Sequence, residues 1–272
     1  MRINIKMNKR LRIVTLVALV LVALSVQVYA HDLWLNLNDY APIIGGHTRP
    51  VVYFGWGHKY PVDDMFDSAF LSKFQLIKSN GEVKDIKPGA GGFLATRLDI
   101  EEPGSYWVAA ETFPGFYTLS QVGDRIAHLM KPKTGIENVL LSMQYQMFAK
   151  TLLNVDGATD NVTKPVGHIL EIVPLQNPAT LQVGDYLDVQ VLFKGKPLPM
   201  IPYTRLEGTY NGFSTDGACA YSNWIMGGMA RVKLIHSGQW MLKVGYTVPA
   251  NLELQDKCDE LGYYATMSFA VQ

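Results

Sequence analysis

From Asp32 onward the chain breaks into short stretches rich in Val, Ile, Tyr, Phe and Trp, with turn residues returning about every ten positions. Segments that short bury an apolar face only as strands, so the rhythm predicts antiparallel sheets. His31 to Leu37 alternates Leu33 and Leu35 with polar neighbours, and Arg49 to Phe54 follows beyond the Gly45-Gly46 turn. Phe74 to Lys78, Gly81 to Ile86, Gly92 to Leu98 and Ser105 to Glu111 continue the pattern, with turns at Ser79-Asn80-Gly81 and Glu102-Pro103-Gly104. A later set runs through His168 to Val173, Tyr186 to Phe193, Pro202 to Tyr210, Gly228 to His236, Trp240 to Val248 and Tyr263 to Val271.

Between the two sets the period changes. Ile136, Val139, Leu140, Met143 and Met147 recur at helical spacing, Thr134 and Glu137 form a capping box, and no proline interrupts Gly135 to Val155. The expected fold is mainly β: two antiparallel β-sandwich, immunoglobulin-like domains, 31–117 and 161–272, with one amphipathic helix in the intervening 118–160 segment. Met143 and Met147 stand one turn apart, as soft-metal ligands would, but core packing is their simpler role. Asn161-Val162-Thr163 is read as a coincidental glycosylation sequon.

Residues 1–30 read as a secretory signal peptide. Arg2, Lys6, Lys9, Arg10 and Arg12 precede an apolar run from Ile13 to Val26, and Val28 and Ala30 supply the small residues of a cleavage site. The run falls short of the ~20 apolar residues of a membrane-spanning helix. Cleavage after Ala30 leaves 19 basic residues against 24 acidic, a net charge of −5, which gives no basic surface for nucleic acid. Export places the mature chain in the periplasm. There Cys219 and Cys258, an even pair whose spacing fits no zinc motif, are expected to form a disulfide tying the 211–227 loop to the approach of the last strand.

Helical His-x-Glu-x-x-His pairs, nucleophile elbows and phosphate-binding glycine loops are all missing from the sequence. What remains is His31. Cleavage would free an α-amine, which titrates near ~8, beside an imidazole titrating near ~6.5, and together they chelate one metal ion. A second imidazole would complete a T-shaped or square-planar nitrogen site, which favours Cu(II) or Ni(II). His58 is the best partner: it lies in the loop Gly55-Trp56-Gly57-His58-Lys59-Tyr60-Pro61, after a strand expected to pair with the first. His47, beside Gly45-Gly46, is a weaker candidate. Asp32 is placed to orient His31, and Asp63, Asp64 and Asp67 make an acidic stretch behind His58. His128, His168 and His236 read as structural or surface residues. A cut after Tyr29 would instead present an Ala-His terminus suited to nickel.

Several segments resemble one bacterial family: Ala30-His31-Asp32-Leu33-Trp34-Leu35, Gly57-His58-Lys59-Tyr60-Pro61, Glu102-Pro103-Gly104-Ser105-Tyr106, Phe148-Ala149-Lys150-Thr151-Leu152-Leu153 and Leu170-Glu171-Ile172-Val173-Pro174-Leu175-Gln176-Asn177-Pro178. Gly195-Lys196-Pro197-Leu198 and Gly238-Gln239-Trp240 fit as well. The chain looks like the exported family labelled as a domain of unknown function and linked to the periplasmic component of nickel and cobalt uptake systems. That resemblance implies a two-part β-rich protein binding a transition metal through the mature N-terminal histidine and the Gly-His loop. The region from Phe213 to Gly228 departs from it, being longer and carrying Cys219.

The expected function is binding without catalysis: presentation of nickel or cobalt, with copper as a further possibility, to inner-membrane transporter components. Two other classes compete. A copper-brace oxidoreductase also begins at a histidine, and a structural or adhesive β-sandwich would need no metal.

Overall fold

The computed structural model describes residues 31–46, 49–201 and 204–272; the expected signal peptide and His47 lie outside the described residues. Residues 31–272 form one compact unit. In chain order its strands are β1 (Asp32–Leu37), β2 (Val51–Gly57), β3 (Leu71–Lys78), β4 (Val83–Asp85), β5 (Thr96–Arg97) and β6 (Gly104–Thr112). β7 (Gly115–Val122), β8 (Arg125–Leu129), β9 (Val139–Val155), β10 (Leu170–Pro174) and β11 (Tyr186–Phe193) follow. The last are β12 (Lys196–Pro197), β13 (Arg205–Tyr210), β14 (Tyr221–Trp224), β15 (Met229–Lys233), β16 (Gly238–Pro249) and β17 (Glu260–Val271). The mainly β, sandwich-like architecture expected from the turn rhythm is what the chain adopts.

Strands from both halves enter one ten-stranded sheet, ordered β14-β13-β16-β17-β9-β6-β3-β4, with β7 also on β9 and β8 on β7. A four-stranded sheet (β10, β11, β12, β15) and a three-stranded one (β1-β2-β5) complete the fold. Phe148 and Leu152 of β9 share a core with Ile172, Leu187, Val189, Trp240 and Leu242. On another side Trp34 of β1 packs with Tyr60 and Met241. The Thr266 hydroxyl donates to the Leu33 carbonyl at 2.6 Å, which ties β1 to β17.

The helix expected between Gly135 and Val155 is corrected to strand β9, 17 residues long. Along one edge it pairs first with β7 and then with β6; along the other it runs parallel to β17 from Met143 to Thr151. Every residue from Met147 to Val155 is buried. A strand covered on both faces loses the apolar-polar alternation that would announce it, and its dense apolar run mimics a helical stripe.

The expected disulfide is also corrected, since Cys219 and Cys258 are both free thiols. Cys219 lies at Glu207, which pairs with Lys243 on β16, whereas Asp259, next to Cys258, accepts from the Ala250 N–H beyond that strand's far end. Seven residues of extended chain separate the two places by roughly 20 Å. A disulfide tolerates a Cα separation of at most about 7 Å.

One buried charge cluster joins β9 to β10. Lys150 Nζ donates to Glu171 at 2.6 Å, and both side chains are 1% exposed. The same carboxylate accepts from the backbone N–H groups of Val166 at 2.7 Å and Gly167 at 3.0 Å, while the ammonium lies 4.5 Å from the centre of the Trp107 ring. Burial works to raise the Glu171 pKa, but the adjacent Lys150 charge holds it below its ordinary value. His168 is buried beside them, and burial pushes its pKa down to about 3.

Candidate functional site

The β1–β2 ladder fixes the site. Its register sets Asp32 against Gly57 and Leu33 against Trp56, so the next step outward brings His31 to His58. Their ring centroids are 4.7 Å apart with the planes inclined by 40°. The Trp56 ring stands 5.3 Å from that of His31. Both histidines are exposed, at the end of a ladder whose other β1 residues are mostly buried.

The loop carrying His58 is held by one carboxylate. Asp63 accepts from the backbone N–H groups of His58 at 2.7 Å and Lys59 at 3.2 Å, and the first of these holds its pKa below the usual carboxylate range. The Asp64 N–H returns to the Trp56 carbonyl at 2.8 Å. Trp34 Nε1 and Asn36 Nδ2 both donate to the Pro61 carbonyl at 2.9 Å, which pins the far end of the loop on β1. A third segment closes in from the C-terminal half. A Cβ on Gly217 would stand 2.6 Å from the His58 carbonyl oxygen, so only a glycine lets the 211–220 loop lie this close.

Beneath His31, Asp32 pairs with Lys243 at 2.9 Å, and Lys243 reaches Glu207 at 3.7 Å. Burial works to lower the Lys243 pKa, yet the charge of Asp32 leaves it above its ordinary value. The Cys219 thiol donates to Glu207 at 3.9 Å, and burial pushes its pKa up to about 11. Burial lowers the pKa of His58, and repulsion from His31 lowers it further, which favours the neutral imidazole that a metal ion takes as ligand.

Of the residues singled out from the sequence, His31, His58 and Asp32 come together, and Asp63 joins them as the carboxylate holding the loop. His168 is interior, while His128 lies against Tyr117 and His236 stacks on Tyr210. Met143 and Met147 are buried. Trp56, Lys243, Glu207 and Gly217 went unnoticed as site residues. Trp56 is in reach of a sequence argument, standing two positions before His58 on the strand that pairs with β1. For Lys243, Glu207 and Gly217 no local signal exists, because strands from the other half bring them in.

Among the described residues no group of three or more His, Cys, Asp or Glu side chains is arranged to hold a metal ion. The histidine pair would offer a metal ion two nitrogen donors. A third would be the α-amine that cleavage after Ala30 frees on His31 itself, and that donor set of three nitrogens fits Cu(II) or Ni(II). No described helix is long and apolar enough to cross a membrane.

No curated protein matches the chain. Among solved structures, the fibronectin(III)-like modules of Clostridium thermocellum CbhA align over 88% of this chain and 94% of theirs, at 8% identity and a TM-score of 0.21, too low to carry any argument. A family model does match, over residues 28–248, from just before His31 through nearly all of β16. The chain belongs to the family described as a domain of unknown function, DUF4198.

Proposed function

We propose that the exported, processed chain is a transition-metal-binding protein that holds one divalent ion at its new N-terminus and passes it to a membrane uptake system. The single observation that supports this reading is the His31–His58 pair, with ring centroids 4.7 Å apart on an exposed edge. His31 would contribute its α-amine and imidazole, His58 its imidazole. Asp32 and Lys243 would hold the first ligand in place, and Asp63 the second. Nickel and copper suit three nitrogens in one plane, and cobalt remains within the donor chemistry. The role is binding, with release to a partner, and not turnover.

The test is titration of chain whose N-terminus mass spectrometry has confirmed as His31, with Ni(II), Co(II) and Cu(II) in turn. The expected result is one ion per chain, weakened at least about tenfold by His31→Ala, by His58→Ala, and by a two-residue extension that buries the amine in a peptide bond. Equal affinity in all four proteins would overturn the reading. Peroxide-driven turnover by the copper-loaded chain would replace it with an oxidoreductase.

A further inference from the structure

A second arrangement of metal-ligating atoms stands apart from the histidines. Met226-Gly227-Gly228-Met229 is a two-residue hairpin turn leading out of β14 into β15. Gly227 and Gly228 have φ of +59° and +78°, the positive pair that the tightest right-twisted hairpin demands. Met226 and Met229 exchange both backbone hydrogen bonds, at 2.9 and 3.0 Å, so they are directly opposed residues.

Opposed residues of an antiparallel pair project from the same face with Cβ atoms about 5 Å apart. The two thioethers therefore start side by side. Met226 is 66% exposed and Met229 39%, although a solvent-facing hairpin gains nothing from burying them. Met229 lies on the outward face of β15, where Ala230 and Val232 take the buried positions. On its other flank it pairs with Gln190 of β11, so Met226, Met229 and Gln190 form one row across neighbouring strands. The cationic side chains nearby are engaged. Arg231 makes two bonds to Asp188, at 2.6 and 2.9 Å, and Arg205 lies 4.4 Å over the Trp224 ring.

We propose that Met226 and Met229 form a bis-thioether site for a soft monovalent metal ion of the Cu(I) class, with the Gln190 carboxamide at its edge. Neutral sulfur ligands favour Cu(I) and its analogue Ag(I) over nickel or cobalt. The short turn pre-positions both sulfurs, so the second binds as part of a chelate at high effective concentration. This site does not depend on the histidine pair. It would give one chain a nitrogen locus for a divalent ion and a thioether locus for a monovalent one.

Ag(I) in chloride-free buffer is the probe, read by NMR of chain labelled at the methionine methyl carbons. The expected result is that the Met226 and Met229 methyls shift together and saturate at one ion per chain, while exposed Met65 and Met130 stay still. Met226→Leu should weaken the Met229 response about tenfold or more, since a lone thioether is left. His31→Ala/His58→Ala should leave both responses unchanged, which separates this site from the proposed function. Ag(I) binding that moves neither methyl, as capture by Cys219 would, overturns the proposal. Independent responses of the two methyls, or a Met229 response surviving Met226→Leu, would overturn the proposal.

Discussion

Two regions of this chain gather histidine and opposite charges, and they are built to opposite ends. In the interior, Lys150, Glu171 and His168 are sealed between β9 and β10, with the ion pair 1% exposed on both sides. At the edge, His31 and His58 face each other in solvent, above the partly exposed Asp32–Lys243 pair. Both His168 and His58 have lowered pKa values, with burial the larger cause in each. The consequence differs with access. At His168 burial withholds the water that would stabilise the imidazolium, in a place no ligand reaches, whereas the milder shift of His58 occurs on an exposed side chain.

The largest effect that can break this comparison is in the interior. Glu171→Leu strands the Lys150 ammonium and frees the Val166 and Gly167 N–H groups, an expected loss of about 3 to 5 kcal/mol in denaturant unfolding. The double variant Lys150→Met/Glu171→Leu should regain most of that loss; if it stays as unstable as the single variant, the pair contributes far more than charge balance.

Acid should separate the regions next. The folded pKa of His168 lies at about 3, below that of the unfolded chain, so the unfolded state binds the extra proton. Its contribution to stability is complete above the ordinary histidine range and is lost as pH falls from there toward 3, at up to about 1.4 kcal/mol per pH unit. Thermal unfolding between pH 4 and 7 should show this slope, and His168→Gln should flatten it.

Asp63→Ala is the intermediate case. It removes the acceptor of two loop N–H groups, costs about 1 to 2 kcal/mol, and should weaken metal binding at His58 while leaving the contribution of His168 to the slope between pH 5 and 7 unchanged. A surface ion pair gives the smallest effect. Arg231→Ala breaks a bidentate contact to Asp188 that is 62% exposed on the arginine side, and should leave the denaturant midpoint almost unchanged. A larger loss there would mean that exposure is a poor guide to what a charge pair is worth in this fold.

How much of this was legible follows from the range of each interaction. β1 and β2 are consecutive, so their pairing, and with it the meeting of His31 and His58, could be argued from strand signals and a turn. β9 could not, because its coverage on both faces comes from strands far away in the chain. The hairpin at Gly227-Gly228 carries the two-residue turn signature and was available to a sequence reading. That its flanking methionines stay exposed was not.

The sequence by itself therefore determined the strand rhythm, the turn positions and the chemistry available at the edge, since these depend on backbone preferences over a few residues. Tertiary structure alone decided three things. It turned an apparent helix into the sheet's central strand, held Cys219 beside the middle of β16 and Cys258 beyond its far end, and brought Lys243, Glu207 and Gly217 to the histidines. Each of these depends on which distant strand lies alongside. That choice is made by burial of the whole sheet, not by any local preference.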